Sequence, residues 1–173
     1  IEQFKIKKNN INTKILFMSD NLLKIYNSLM FLTRKKNLYI ENNIKDTFSN
    51  RLILFFFHFA FFLKIYKNHN KQLIQKIYDF IFRQIELSLR EIGHGDVNVN
   101  KKMKQYINIF HNIISEIDNW HKFDDSRKCK ILNDFITSNY KLTKLVNYFE
   151  KYMIYMSNND LNFFLKSVNK HKF

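Results

Sequence analysis

The sequence predicts an all-α fold, a single-domain bundle of about six to seven helices. The 173 residues include no proline and two glycines, which is too few turn-forming residues for an all-β fold. Long uninterrupted segments repeat apolar residues at helical spacing. Apolar residues make up 46% of the chain, and no linker or internal repeat divides it. We therefore expect a basic N-terminal tail over residues 1–18 and one helical domain over residues 19–173.

The first predicted helix begins near Ser19 or Asp20, either of which is a plausible N-cap. One face of this helix carries Leu22, Tyr26, Leu29 and Met30. The basic residues 34–36 suit a helix C-terminus, where cations interact favourably with the helix dipole. Residues 37–50 are interpreted as a loop, with or without a short helical turn.

The most apolar run is Leu52–Leu63, which reads L-I-L-F-F-F-H-F-A-F-F-L. Twelve residues span about 18 Å as a helix, and a bilayer core needs roughly 20 apolar residues. The run is therefore interpreted as the central core helix, with a surface that meets a membrane or a hydrophobic client as the alternative. His58 lies within it and is interpreted as a hydrogen-bonded core histidine rather than a metal ligand.

Five further helices follow the apolar run. The next one begins at Asn70, and its predicted stripe comprises Ile74, Ile77, Tyr78, Ile81, Ile85, Ser88, Leu89 and Ile92. Asp96 or Asn98 is expected to cap the helix after it, whose seam comprises Val99, Met103, Tyr106, Phe110, Ile113, Ile117 and Trp120. Residues 124–126 open a helix with Leu132, Phe135 and Ile136, and another carries Leu142, Leu145, Val146, Phe149 and Met153. Residues 158–160 start a last short helix.

Both glycines lie in the sequence G-H-G-D at residues 93–96, between two predicted helices. Glycine adopts positive φ without steric penalty, so we expect a tight turn that needs Gly93 and Gly95 for this reason. Gly93 suits the C′ position, where helices end in the left-handed conformation. The interpretation is a helix–turn–helix junction that hinges two core helices.

Catalytic and metal-binding motifs are not apparent. The two glycines cannot form a phosphate-binding loop, and no H-E-x-x-H pattern occurs. The single cysteine, Cys129, excludes an intramolecular disulfide and a cysteine zinc site. The nearest metal-like set is Glu91, His94 and Asp96, for which a capped turn is the simpler interpretation. We expect no enzyme activity, no metal and no cofactor, and we recognise no signal peptide or mitochondrial presequence.

The chain is strongly basic, with 29 Lys and Arg against 15 Asp and Glu and a formal charge of +14. This charge favours nucleic acid, ribosomes, acidic proteins or anionic lipid as partners, although a codon bias toward Lys and Asn would also produce it. Lys101, Lys102 and Lys104 start a helix, where cations oppose the dipole. They form either a solvated face or a patch that docks on an acidic surface.

The stretch L-R-E-I-G-H-G-D-V-N-V-N-K-K-M-K, residues 89–104, resembles the signature of the ubiquinol–cytochrome c chaperone family. The positions that match the signature are Leu89, Arg90, Glu91, Gly93, Gly95, Asp96, Val99, Lys101, Met103 and Lys104. Weaker matches flank it at Tyr26, Asp46, Arg51, Phe57, His58 and residues 138–140. His94 stands where the family has a small apolar residue, and residues 110–113 lack the family's Gly and Arg.

This resemblance implies an all-helical, non-enzymatic assembly factor of the cytochrome bc1 complex that binds and stabilises newly made cytochrome b. It also implies a small partner chaperone and contact with a ribosome. The basic charge adds an anionic membrane surface as a contact, and the shortness of the run Leu52–Leu63 predicts no transmembrane segment. The implied location is peripheral, on the cytoplasmic face of a bacterial inner membrane or on the mitochondrial matrix side. The alternative function is a basic helical module that binds nucleic acid or ribosomes.

The residues expected at the partner-binding or hinge site belong to or follow the turn. Arg90, Glu91 and Asp96 are expected to form a polar network that fixes it, with Lys101 and Lys102 displayed nearby. Whether this network also binds a partner or only holds the hinge stays open from the sequence. The full set is Arg90, Glu91, Gly93, Gly95, Asp96, Lys101, Lys102 and Lys104.

Overall fold

The computed structural model describes residues 20–68, 70–138, 142–167, 170 and 173, and every regular element in this part of the chain is helical. The first described residues, 20–33, form helix α1. The others are α2 (Lys36–Ile40), α3 (Phe48–Tyr66), α4 (Lys71–Glu91), α5 (Asp96–Ile117), a 3₁₀ turn (Trp120–Lys122), α6 (Asp125–Phe135), α7 (Thr143–Ser157) and α8 (Leu161–Ser167). The predicted all-α fold is confirmed.

Helix α3 is the centre of the bundle, because α5 and α7 both pack on it. Ten consecutive residues, Ile53 to Phe62, are buried. The helix is longer than the twelve-residue run, since Thr47 caps it by accepting a hydrogen bond from the Asn50 amide, 3.3 Å away. Nineteen residues make α3 long and apolar enough to cross a membrane by length and composition alone, which corrects the expectation that it is too short. Its burial inside the bundle nevertheless supports the core-helix interpretation.

The interval predicted as a loop, residues 37–50, contains more helix than expected. Helix α2 occupies its first part and α3 already begins at Phe48. Leu38 and Tyr39 of α2 are buried, and the Tyr39 hydroxyl donates to the Thr33 carbonyl over 2.8 Å. These contacts attach α2 to the end of α1, so the short helical turn that the sequence allowed is part of the core.

His58 is a satisfied core histidine, as the sequence predicted. It is 0% exposed, and its Nδ1 lies 2.7 Å from the Leu54 carbonyl oxygen. Its Nε2 lies 2.7 Å from the Tyr148 hydroxyl on α7. Since a carbonyl can only accept, Nδ1 carries the proton and Nε2 accepts from Tyr148. The pair joins α3 to α7 across the core.

Helices α4 and α5, which the turn connects, pack on each other. Most of the predicted α4 stripe is buried or half-buried, but Ser88 is exposed and Ile92 is 63% exposed, whereas Phe82 is buried although it was not predicted. Ile92 follows the last helical residue, so helical periodicity no longer applies to it. The α5 seam is also largely correct, since Val99, Phe110, Ile113 and Ile117 are buried. Trp120 extends the seam from the 3₁₀ turn.

Helices α6 and α8 have the predicted acidic caps. Asp124 accepts a hydrogen bond from the Arg127 amide over 2.8 Å, and Asp160 accepts one from the Phe163 amide over 2.7 Å. Glu150 of α7 accepts from the indole Nε1 of Trp120 over 2.8 Å and pairs with Lys128 over 2.7 Å. One carboxylate therefore ties the 3₁₀ turn, α6 and α7 together.

Several expectations fall outside the described residues. They are the N-terminal tail over 1–18, an N-cap at Ser19, and the matches at Asn139 and Tyr140.

The prediction for helix α1 is partly correct. Asp20, the alternative N-cap, is itself helical. In α1 the most deeply buried apolar residues are Ile25, Leu29 and Leu32, whereas Leu22, Tyr26 and Met30 are half-buried. The predicted face therefore shares Leu29 with the buried face, and its other residues lie at the edge of that face.

Candidate functional site

The turn between α4 and α5 is a complete Schellman motif. Gly93 has φ of +92°, and its amide donates to the Arg90 carbonyl over 3.0 Å. The His94 amide donates to the Leu89 carbonyl over 3.2 Å. These two bonds satisfy carbonyls that the end of a helix would otherwise leave unpaired. The predicted left-handed position at Gly93 is confirmed.

Gly95 has a different role from the one expected. Its φ of −68° and ψ of 159° are extended backbone, and it is the N-cap of α5. It therefore does not need positive φ. The expected caps are also wrong: Asp96 is the first helical residue and Asn98 lies inside the helix. Glycine is an accepted N-cap because its backbone is freely solvated and its φ and ψ are unrestricted.

We expect the two glycines to respond oppositely to substitution. No atom lies within 4 Å of a Cβ placed at either position, so only backbone preference distinguishes them. Gly93→Ala should lower the free energy of unfolding by about 1–2 kcal/mol, because a Cβ disfavours positive φ. Gly95→Ser should raise it by a few tenths of a kcal/mol by supplying a capping hydroxyl. Urea unfolding measures both, and equal effects would contradict the assigned conformations.

The side chain of Arg90 spans the turn. Its Nη1 donates to Asp96 at the start of α5, and its Nε and Nη2 donate to Oε1 of Glu86 over 3.2 and 2.9 Å. Arg83 pairs with the other oxygen of Glu86 over 3.1 Å. The hydrogen bond from Arg90 lowers the pKa of the Glu86 carboxyl. The structure thus joins Arg90 and Asp96, while the second carboxylate is Glu86 rather than the expected Glu91.

Glu91 and His94 do not belong to this network. The Glu91 side chain is exposed and forms no hydrogen bond or ion pair within the part of the chain that the structure describes. His94 is half-exposed at C″, the position that often makes an apolar contact with the preceding helix. A small apolar side chain at this position, which the family signature has in place of His94, suits such a contact. The described residues contain no cluster of three potential metal ligands, so Glu91, His94 and Asp96 do not form one.

The lysines after the turn lie along the first part of α5. Lys101 and Lys104 are exposed and Lys102 is half-buried. Within the described ranges none of the three forms an ion pair. Lys101 and Lys104 are therefore displayed to solvent.

A groove opens between α1, α3 and α4, with a volume of about 260 Å³. We call it the α1–α3–α4 groove. Its apolar lining consists of Tyr26, Met30, Phe48, Leu52, Phe55 and Ile85. Its polar lining consists of Thr33, Arg34, Arg51 and Ser88. Phe48 is 56% exposed at the rim, whereas Phe55 and Ile85 are buried in the floor.

Polar side chains lie beside the apolar lining of the groove. Burial raises the pKa of Tyr26 above its ordinary value, and the neighbouring Ser88 side chain opposes this shift. Arg51 binds Asp46 bidentately, with N–O distances of 2.5 and 2.7 Å. This contact lowers the pKa of the Asp46 carboxyl. The Tyr26 ring also packs edge-on against Phe55, with centroids 5.9 Å apart.

The groove brings together residues that the family resemblance selected from distant parts of the chain. Tyr26 and Arg51 line it, Asp46 holds Arg51, and Ser88 lies directly before the signature that begins at Leu89. Met30, Phe48 and Leu52 were not recognised as site residues, because their helical positions resemble ordinary core positions. Glu86 was recoverable, since it lies four residues before Arg90 on the same helix face.

An apolar groove between helices can receive the apolar side chains of a segment from another protein. The family model described as "Ubiquinol-cytochrome C chaperone" matches residues 41–168, which is most of the chain, and the protein belongs to this family. The membership supports a role as an assembly chaperone of the cytochrome bc1 complex and indicates a non-enzymatic role. No curated protein and no solved structure matches the chain.

Proposed function

We propose that this protein binds and stabilises newly made cytochrome b during assembly of the cytochrome bc1 complex. The observation that carries the proposal is the α1–α3–α4 groove, an apolar surface within a family of bc1 chaperones. A membrane subunit that has not yet met its partners exposes apolar side chains, and such a groove can cover some of them. The volume of about 260 Å³ suits a few side chains of one segment rather than a whole helix.

The rim of the groove adds charge to this apolar floor. Arg34 and Arg51 stand at the edge and are exposed, and Asp46 already binds Arg51. Arg34 is therefore the better placed of the two to meet an acidic group on the client. The Arg90 network joins the end of α4, which carries Ser88 of the groove lining, to the start of α5. In this proposal Arg90, Asp96 and Gly93 position the site, and Lys101 and Lys104 contact a partner.

We expect Phe48→Asp to abolish bc1 assembly without unfolding the protein. Phe48 is exposed at the rim and is the first residue of α3, where a carboxylate interacts favourably with the helix dipole. A charge at this position opposes burial of an apolar client side chain. The measurement is assembled bc1 complex in cells that depend on this protein, with cytochrome b transcript followed in parallel. We expect transcript to stay constant while the complex is lost.

Phe163→Asp is the matched control for this experiment. Phe163 is 50% exposed and also lies in the first turn of a helix, α8, but it does not line the groove. It should leave bc1 assembly unchanged. Equal assembly with both variants, or equal loss with both, would contradict a client site in the α1–α3–α4 groove.

The formal charge of +14 supports a second candidate, a module that binds nucleic acid or ribosomes. Pull-down of the intact protein separates the two. Cytochrome b that remains bound after nuclease treatment supports the chaperone function, together with recovery of a small partner chaperone. Recovery of RNA alone, lost on nuclease treatment, would overturn it.

We further propose a peripheral location on the cytoplasmic face of a bacterial inner membrane, with the mitochondrial matrix side as the alternative. A client in the membrane requires the chaperone to work beside the bilayer. The positive charge of the chain also favours an anionic surface. Fractionation tests this location: we expect the protein in the membrane fraction and its release by high salt.

A further inference from the structure

A second and larger groove lies between α2, α7, Lys170 and Phe173, with a volume of about 720 Å³. We call it the lysine groove, because Lys35, Lys36, Lys144, Lys151 and Lys170 all line it. The volume is typical of a binding site for a small molecule or headgroup. The groove shares no lining residue with the α1–α3–α4 groove.

Most of the charged side chains that line the lysine groove are cationic. Glu41 carries the one carboxylate side chain among the described lining residues. Lys144 and Lys151 are separated by seven residues and so share one face of α7. In the described part of the chain neither they nor Lys36 forms an ion pair. Like charges gathered in one concavity repel one another, and an anion in the groove would relieve this repulsion.

The floor of the groove is apolar. Leu38 and Tyr148 are buried there beside Phe173. The ammonium group of Lys35 lies 5.0 Å from the centre of the Phe173 ring, which is a cation–π contact. Burial also lowers the pKa of Lys35. The site therefore offers cationic groups around apolar walls rather than a uniformly hydrated basic surface.

Exposed apolar side chains lie close in sequence to the lysines of the groove. Ile40 is 70% exposed and lies four residues after Lys36 on α2. Ile154 is 59% exposed and lies three residues after Lys151 on α7. Phe31 is 47% exposed, with the Lys35 ammonium group 5.9 Å from its ring centre. Lysines combined with exposed apolar side chains are typical of surfaces that lie at a membrane interface.

We propose that the lysine groove binds the headgroup of an anionic phospholipid. The lysines contact the phosphate, Tyr148 and Leu38 pack against the glycerol and upper acyl region, and Ile40 and Ile154 enter the interface. Two of these three exposed side chains, Ile40 and Ile154, are aliphatic and offer no stacking surface for bases, which favours a lipid over RNA. The inference deepens the proposed peripheral location by naming the surface that meets the membrane, and it does not depend on cytochrome b as the client.

The experiment is co-sedimentation of the full chain with vesicles of phosphatidylcholine, with and without phosphatidylglycerol. We expect strong binding only to the vesicles that contain phosphatidylglycerol. The triple variant Lys36→Gln, Lys144→Gln, Lys151→Gln should weaken this binding at least about tenfold. Lys35 is left unchanged, because it packs on Phe173. Circular dichroism and thermal unfolding establish that the variant is folded.

A matched triple variant separates the groove from overall charge. Lys71, Lys122 and Lys130 are exposed and do not line the groove, so changing them to Gln gives the same net charge. We expect this control to retain most of the binding. Equal losses in the two triples, or unchanged binding in the groove triple, would overturn the inference. Since purified protein and vesicles suffice, its failure is distinguishable from failure of the client proposal.

Discussion

The Phe110→Ala variant should lower the free energy of unfolding by about 3–5 kcal/mol. Phe110 is 0% exposed and stacks on Phe59 of α3, with ring centroids 5.0 Å apart and planes 13° apart. Its ring also lies 5.4 Å from both Phe56 of α3 and Phe82 of α4. The ring therefore fills the junction of α3, α4 and α5. Its removal leaves a cavity that closes only if all three helices move.

Phe163→Ala is the control for this prediction, because it deletes the same atoms from a residue that is half-exposed. We expect a cost below about 1 kcal/mol at that position, since most of the side chain already contacts water. Urea unfolding at neutral pH measures both variants. If the Phe110→Ala cost does not exceed the Phe163→Ala cost, the α3–α4–α5 junction is not the packed core described above.

The core could be predicted from sequence where apolar spacing continues over several helical turns. The seam from Val99 to Ile117 has this property, and so does the apolar run of α3. The pattern fails at helix ends. Ile92 continues the spacing of α4, but the helix has ended and the side chain is 63% exposed. Helix α2 spans five residues, too few for periodicity to reveal.

The part of the candidate site that depends on local backbone conformation could be predicted from the sequence. Gly93 follows from the need for positive φ at the end of a helix, and it was found. Gly95 was misinterpreted because a glycine before an acidic residue fits an N-cap as well as a turn. The α1–α3–α4 groove could not be predicted, since it exists only when three helices pack. No local pattern distinguishes Phe48 at its rim from a core phenylalanine.

His58 makes the stability of this protein depend on pH. Complete burial lowers its pKa to about 4, from an ordinary value of 6.5, and the nearby Lys35 acts in the same direction. The hydrogen bond to the Leu54 carbonyl opposes this shift. Between these two pH values the unfolded chain binds a proton at His58 that the folded chain does not. The stabilisation from His58 is therefore complete above pH 6.5 and lost as the pH falls toward 4.

We expect the double variant His58→Phe, Tyr148→Phe to lose this pH dependence. It removes both partners of the buried hydrogen bond and so leaves neither unsatisfied, while keeping aromatic rings in the core. Between pH 7 and pH 4 the wild type should lose about 3 kcal/mol more stability than the double variant. The control His121→Gln changes an exposed histidine and should retain the wild-type slope. Urea unfolding across this pH range measures all three proteins. Parallel curves for wild type and the double variant would mean that His58 is not a neutral buried link between α3 and α7.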